Sequence, residues 1–470
     1  MSIHNVKKYV YFLMALIFLC GIGVMAKAQI FLPLFPFQPW SRLQPVPSFL
    51  PLPALLTRQR KSFNAFVPNE CIIQFKPGVS PAEISRICDT YGVLPFYRSP
   101  YAGFIRAKIF SLTGTVGTIM RLCMEPAILY AEPNYIAETQ LIPNDPLYIY
   151  QWGMPGINTP LAWNIANGSG VIVAVLDTGI AYENNGIYAL APDLAGTLFI
   201  PGYDFVNVDA FPDDDQGHGT HITGTIAQTT NNLTGCAGVA FGASIMPVKV
   251  LGASGTGVAT DISDGLYYAA NNGAKIINMS FGFGNNPSLT LETAIDYAST
   301  AGALPICSGG NYANSLPNYP AAYTPCVSVT ATLLDRTFAS YSSYGLTIDL
   351  CAPGGDLTLD QNLDGYADGI LQQSHNGVNF TVFDYYLGKG TSWSAAFVSG
   401  VAALVCSVNP LPMTPLEIRT ILETTAIDLG LPGWDEYYGN GLVDAFAAVS
   451  AVLPSAVILS TTGLVPFLPL

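Results

Sequence analysis

Residues 171–179 read Val171-Ile172-Val173-Ala174-Val175-Leu176-Asp177-Thr178-Gly179. Six apolar residues run without alternation, most of them β-branched, and an aspartate and a glycine end the run. A strand that is apolar on both faces must be covered on both, as in a parallel sheet flanked by helices. Ile276 to Met279 repeats the pattern apart from Asn278. Between the two runs Asp261–Ala270 has helical spacing, as does Leu291–Ala298 after the second. This alternation predicts an α/β domain with a central, mostly parallel sheet. Reacting groups in such folds gather at the carboxyl ends of strands, which is where Asp177 stands.

Working outward, the chain has 470 residues, half of them hydrophobic and only 11% charged. Low charge raises the question of membrane spans, and one apolar run is long enough to ask it. Lys7 and Lys8 precede Tyr9–Met25, and Ala26-Lys27-Ala28 follows. Charged, apolar and small-residue parts in that order predict a signal peptide cut near Ala28, although the run is nearly long enough for an uncleaved anchor. The expected location is therefore secreted or periplasmic, with no membrane span once the signal is gone. Residues 29–65 form a linker dense in Pro, Phe and Leu, since prolines at this density block helix and central strand. Residues 66–141 read as a small α+β unit and 142–453 as the main domain, and 454–470 is an apolar tail.

Charge divides along the same line. Residues 29–141 carry ten Lys/Arg against six Asp/Glu, whereas 142–470 carry five against 26. A basic N-terminal part, linker included, and an acidic main domain attract each other. The acidic domain is unsuited to nucleic acid and suited to cations. Nine cysteines include no CxxC spacing, which argues against a zinc site. Most lie in apolar runs as small buried groups. Cys307 and Cys326 are the candidates for a single disulfide. In the small unit, strands are expected at Glu70–Phe75, Ala102–Ile109 and Ile128–Glu132, with helices at Pro81–Tyr91 and Val116–Met124.

Histidine narrows the chemistry, because the chain has only four. His4 leaves with the signal. His218 and His221 stand in Gly217-His218-Gly219-Thr220-His221, where glycines on either side of His218 permit close approach. A base working near neutral pH is most often histidine. Two histidines three apart could also hold a metal, but the glutamate of a zinc protease is missing between them and Gly219 is a poor helix former. Gly388-Lys389-Gly390-Thr391-Ser392 precedes the apolar helical run Ala395–Cys406. A hydroxyl nucleophile needs a turn that exposes it and a helix N-terminus that favours developing negative charge. Taken alone, Gly-Thr-Ser is an N-cap and Asp177 a turn aspartate.

Together the segments are specific. Asp177-Thr178-Gly179, Gly217–His221, Gly309-Gly310-Asn311 and Gly390-Thr391-Ser392, in the order Asp…His…Ser, resemble the subtilase family of serine proteases over roughly 145–448. The resemblance implies a subtilisin-like three-layer α/β domain and a serine endopeptidase. Ser392 would be the nucleophile, His218 the base, Asp177 its orienting carboxylate, and Asn311 with the Ser392 N–H the oxyanion donors. His221 would be structural. Gly255-Thr256-Gly257 and Ser280-Phe281-Gly282 match the segments that pair with the substrate strand, giving contacts independent of substrate sequence. No acidic pocket floor stands out, so broad specificity with an apolar preference is expected.

The resemblance extends to partners and ions. The unit at 66–141 is similar to an inhibitory propeptide with a ferredoxin-like fold, and Ala131-Glu132-Pro133-Asn134-Tyr135 resembles its closing motif. Self-cleavage is expected between about Ala137 and Asn144, leaving a monomer that acts on protein or peptide substrates. Asp145, Asp193 and Asn232, with carbonyls near Thr234, match a structural Ca2+ site of the family. Asp360, Asn362, Asp364 and Asp368 occupy the first, third, fifth and ninth positions of a D-x-N-x-D-G calcium loop, in which Leu371 replaces the final glutamate. Asp204, Asp209 and Asp213 are a weaker third set. Two departures stand out: Trp393 follows the nucleophile where the family has methionine, and Ala396 replaces a proline. Trp393 is expected to narrow the leaving-group side. Two other readings compete with the protease: a fold of this family that has lost catalysis and binds, and a transacylase.

Overall fold

The computed structural model describes residues 41–42, 66–111, 114–135, 141–409 and 411–453. The signal-like run and the apolar tail lie outside the described residues, as does nearly all of the linker.

The small unit runs β1 (Phe66–Phe75), α1 (Pro81–Tyr91), β2 (Val93–Arg98), β3 (Ile105–Ile109), α2 (Gly114–Leu122), β4 (Ile128–Tyr135). Its antiparallel sheet has the order β2-β3-β1-β4. Ser80 caps α1 by accepting from the Glu83 N–H, and Gly92 ends it in a left-handed turn. Ile73, Ile87, Ala107 and Leu122 form the centre of its core. Strand β2 was not foreseen: only Val93 of its six residues is buried, so no alternation marks it.

In the main domain, β5 (Ile172–Asp177) is followed by α3 (His218–Ala227), β6 (Ser244–Lys249), α4 (Ala259–Asn271), β7 (Ile276–Met279), α5 (Leu289–Thr300), β8 (Leu304–Ser308), β9 (Val327–Thr332) and β10 (Leu350–Pro353). These strands pair in parallel in the order β10-β9-β8-β7-β5-β6, and the short strands Leu198–Phe199 and Tyr203–Asp204 both pair with β6. A hairpin follows, β11 (Ile370–His375) with β12 (Phe383–Gly388), then α6 (Thr391–Val408), α7 (Pro415–Thr424) and α8 (Ala445–Val452). The expected α/β architecture is the observed one.

Buried strands explain the sequence pattern. Val173, Ala174, Val175 and Leu176 are essentially inaccessible, and Ala174 and Leu176 lie in a core that includes Leu266, Leu291 and Ile295 of α4 and α5. Helix α6 is buried over Thr391–Val405, and this accounts for an apolar run that would suit a membrane by composition alone. Asn278, the polar break in β7, donates from Nδ2 to Ser280 Oγ and accepts at Oδ1 from Ser399 of α6, so its burial is satisfied. The eight cysteines among the described residues are free thiols. Cys307 and Cys326 are neighbours in the core rather than a disulfide, and burial pushes the Cys307 thiol far up.

The chain lays β6 on one side of β5, then crosses to lay β7 on the other and continues outward. The crevice at such a reversal, beyond the carboxyl ends of β5 and β7, is where α/β sheets place ligands.

Candidate active site

The four predicted catalytic positions converge on that crevice by different routes. Asp177 is the last residue of β5 and is inaccessible to solvent. Its Oδ1 accepts the Thr178 N–H at 2.7 Å, and its two oxygens lie 2.8 and 3.0 Å from His218 Nδ1. His218 is the first residue of α3. Burial pulls its imidazole downward, but the charges of Asp177 and Asp214 and the Asp177 hydrogen bond outweigh this and leave it above its ordinary value. Gly219 is required here, since a Cβ would sit 2.1 Å from the Gly179 carbonyl oxygen and 3.1 Å from Asp177 Cβ.

Ser392 is the second residue of α6 and is 8% exposed. The helix begins four residues earlier than Ala395, so the nucleophile position lies in its first turn, where backbone N–H groups have no intrahelical acceptor. Ser392 Oγ donates to the Ser280 carbonyl at 2.9 Å, and Ser280 Oγ donates to the Ser392 carbonyl at 2.8 Å. Ser280 thus ties the end of β7 to the head of α6. Asn311 follows β8 and is exposed. Its Oδ1 accepts both the N–H (2.9 Å) and the O–H (3.0 Å) of Thr391, which leaves the Nδ2 amide as a donor beside Ser392.

Gly255-Thr256-Gly257 lies in a surface turn closed by Gly252 N–H to the Thr256 carbonyl, and Gly282 is exposed past β7. Asn318 escaped the sequence reading. It is buried between Gly282 and Gly310, where a Cβ on either would come within 2.5 and 3.1 Å of its amide; it donates to the Ser308 carbonyl, and its Oδ1 has no protein partner. Asp214 escaped too, inside an Asp213-Asp214-Asp215 run that reads as an acidic patch. Its buried carboxylate accepts from Thr178 Oγ, Thr220 Oγ and the N–H groups of Gln216, Gly217 and Thr220, binding the loop before His218 to the one after Asp177. Burial opposes its charge, but His375, Thr220, Gly217 and Lys249 hold it below the usual range.

Trp393 corrects an expectation. It is 7% exposed and turned inward, donating from Nε1 to His221 Nδ1 at 2.6 Å, so it does not narrow the leaving-group side.

The predicted cation residues fare unevenly. Asp145 and Asp193 are both buried and meet around the loop 229–236. Asp145 accepts from the Asn231 and Asn232 N–H groups, and Asp193 from Asn232 Nδ2 and the Cys236 N–H. Burial, and secondarily the charge of Asp145, push the Asp193 carboxyl upward. Asp360, Asn362 and Asp364 form a hydrogen-bonded turn, with the Asp364 N–H on the side chains of Asp360 and Asn362, and Asp368 capping the Gln361 N–H. Asp204 caps its own turn at Val206 and Asn207, while burial raises Asp213 to about 6. Among the described residues no three His, Cys, Asp or Glu side chains converge as a metal cage.

What this geometry can do is acyl transfer: a hydroxyl at a helix head, an imidazole held by a buried carboxylate, and a side-chain amide bonded to the residue before that hydroxyl are the parts of a serine hydrolase. Comparison with known proteins narrows the class. The subtilase family (Peptidase S8) matches residues 168–441. The chain is 34% identical over 390 residues to the thermophilic serine proteinase of Bacillus sp. strain AK1, covering 82% of this chain and 88% of that protein. It is 37% identical over 308 residues to thermitase of Thermoactinomyces vulgaris, covering 65% of this chain and 99% of that one. Among solved structures, a protease of Pseudoalteromonas arctica superimposes with a TM-score of 0.59 at 35% identity, over 66% of this chain and 99% of the other. Fervidolysin of Fervidobacterium pennivorans, described as a keratinolytic enzyme related to subtilisin, gives 0.53 at 26% identity, over 83% and 62%. This chain belongs to the subtilase family and is a serine endopeptidase.

Proposed function

We propose that the chain is an exported, self-maturing endopeptidase that cuts extended peptides through an acyl-enzyme on Ser392. The observation that carries this reading is the bond from His218 Nδ1 to both oxygens of the buried Asp177, which commits Nδ1 and leaves Nε2 to work. Ser392 Oγ turns from the Ser280 carbonyl to His218 and attacks the peptide carbonyl carbon. As the Oγ–C bond forms, its proton passes to Nε2. The tetrahedral oxyanion accepts from Asn311 Nδ2 and the Ser392 N–H. His218 then protonates the departing amine as the C–N bond breaks. Water repeats the sequence in reverse, with His218 taking its proton, and releases the acid.

The substrate strand lies between 255–257 and 280–282, with the side chain before the cut bond toward Asn318. An uncharged amide at that position agrees with broad specificity and an apolar preference. The Asp145/Asp193/Asn232 site fits Ca2+: two buried carboxylates of like charge, one pushed upward by burial, are the donor chemistry a hard cation relieves. Bound there, Ca2+ would join the N-terminal segment to the loop at 229–236. The turn at Asp360, Asn362, Asp364 and Asp368 is a second site of the same chemistry. Export through residues 1–28 agrees with a relative named an extracellular protease, from Xanthomonas campestris. The unit at 66–141 acts as the enzyme's own propeptide and inhibitor, released by cleavage near 137–144. Expression of the full chain tests this reading: the wild type should mature and hydrolyse casein, and Ser392→Ala should stay full length. Maturation of Ser392→Ala at the same bond would refute self-processing.

A further inference from the structure

The residue after the nucleophile and the second histidine of the Gly-His-Gly-Thr-His run form one structure. His218 and His221 stand one turn apart on α3, so their rings share a face. The indole of Trp393, from the first turn of α6, enters there. Its centroid lies 5.6 Å from the His218 ring at an interplanar angle of 71°, and 5.4 Å from the His221 ring at 89°. Both are edge-to-face contacts. Trp393 Nε1–H donates to His221 Nδ1 at 2.6 Å, and His221 Nε2 lies 2.9 Å from the Tyr386 carbonyl of β12. Only the neutral tautomer with its proton on Nε2 satisfies both contacts. Burial lowers the His221 imidazole to about 3, so this tautomer persists throughout any working pH range. The fold makes room for the indole: a Cβ on Gly388, the last residue of β12, would lie 2.1 Å from its ring.

We propose that Trp393 is a positioning residue for the catalytic base, held by His221 and acting on His218. The indole–imidazole bond ties the helix that carries the nucleophile to the helix that carries the base. The indole edge against His218 keeps that ring on Asp177, so Nε2 meets Ser392 Oγ when the hydroxyl leaves Ser280. Ser392 and His218 are not bonded at rest, so their meeting depends on where each helix holds its side chain. A displaced base lowers the rate of proton transfer while the substrate-strand contacts remain, so the effect falls on kcat rather than KM. This inference rests on the protease reading above.

The test is steady-state kinetics of the product matured from the full-length chain, with a chromogenic peptide. Rates are normalised to active sites titrated with a fluorophosphonate, and thermal unfolding is followed in parallel. Trp393→Phe keeps the ring against His218 and deletes the donor, Trp393→Leu deletes both, and His221→Ala deletes the acceptor. Expected are losses in kcat of about tenfold for Trp393→Phe and about a hundredfold for Trp393→Leu, with KM within about twofold. The pair Trp393→Phe/His221→Ala should lose no more than the worse single variant, because both cut one link. Unchanged kcat per titrated site in Trp393→Phe, or single losses that multiply in the double variant, would overturn the proposal, whatever happens to the melting temperature. If Trp393→Leu does not fold, Trp393→Phe and the double variant decide. A wild type that takes no label sinks the protease reading instead.

Discussion

Replacing Asp214 by asparagine probes the scaffold of the site without touching a reacting atom. Asp214 Oδ1 accepts from Thr178 Oγ and the Gln216 and Gly217 N–H groups, and Oδ2 accepts from the Thr220 N–H and O–H. An asparagine keeps one oxygen. Placing its NH2 toward Thr220 is the milder choice, because the Thr220 hydroxyl can turn to accept while only the Thr220 N–H loses its acceptor. One buried donor left unpaired costs about 1–3 kcal/mol. For a domain of this size that is roughly 2–5 °C in melting temperature. Labelling Ser392 with a fluorophosphonate before heating removes autolysis from the measurement. Linkage fixes the pH dependence. Asp214 is held below the usual carboxylate range, so its charged form stabilises fully above about pH 4 and loses that contribution as pH falls further. The gap between wild type and Asp214→Asn should therefore be widest near neutrality and narrow in acid. Loss of the negative charge should also lower the His218 pKa, moving the acid limb of kcat/KM to lower pH. Equal melting temperatures at neutral pH, together with an unmoved acid limb, would refute the bracing role.

Other outcomes follow from the same geometry. Asn311→Leu removes the Nδ2 donor and should lower kcat by about 10²–10³ with little change in KM, the magnitude known for such a donor in subtilisin itself; a loss confined to KM would contradict the oxyanion role. Neutral His218 is the working base and its pKa is raised, so kcat/KM should rise with pH through a midpoint above the ordinary 6.5; a midpoint below that value would contradict the Asp177 coupling. EGTA should lower the melting temperature of the wild type more than that of an Asp193→Ala variant, which keeps only the turn at Asp360–Asp368; equal responses would place the stabilising cation away from Asp193.

Much of the fold was legible because burial and sequence agree along β5 and β7, where strands covered on both faces carry apolar side chains throughout. The Asp177–His218 contact was legible because histidine is scarce and the flanking glycines mark close approach. Strand β2 was not, since five of its six residues face outward or sideways and carry no periodicity. The β11–β12 hairpin was hidden for the opposite reason: Gln372, Gln373, Ser374 and His375 are polar yet buried. Gln372 donates to the Ala237 carbonyl and Ser374 to the Gly217 carbonyl, while Gln373 accepts the Asp193 N–H. Polar residues that meet partners from distant segments leave no local signal. The same holds for Asp214 and Trp393, whose roles depend on what packs against them.

The most direct test of the central claim is covalent labelling of the purified, matured protein with a fluorophosphonate, followed by peptide mass mapping. A single adduct should form on Ser392, abolishing peptidase activity in step with labelling, and Asp177→Asn should slow it strongly. No adduct on an active preparation, or an adduct on another serine with Ser392 unmodified, would contradict the account.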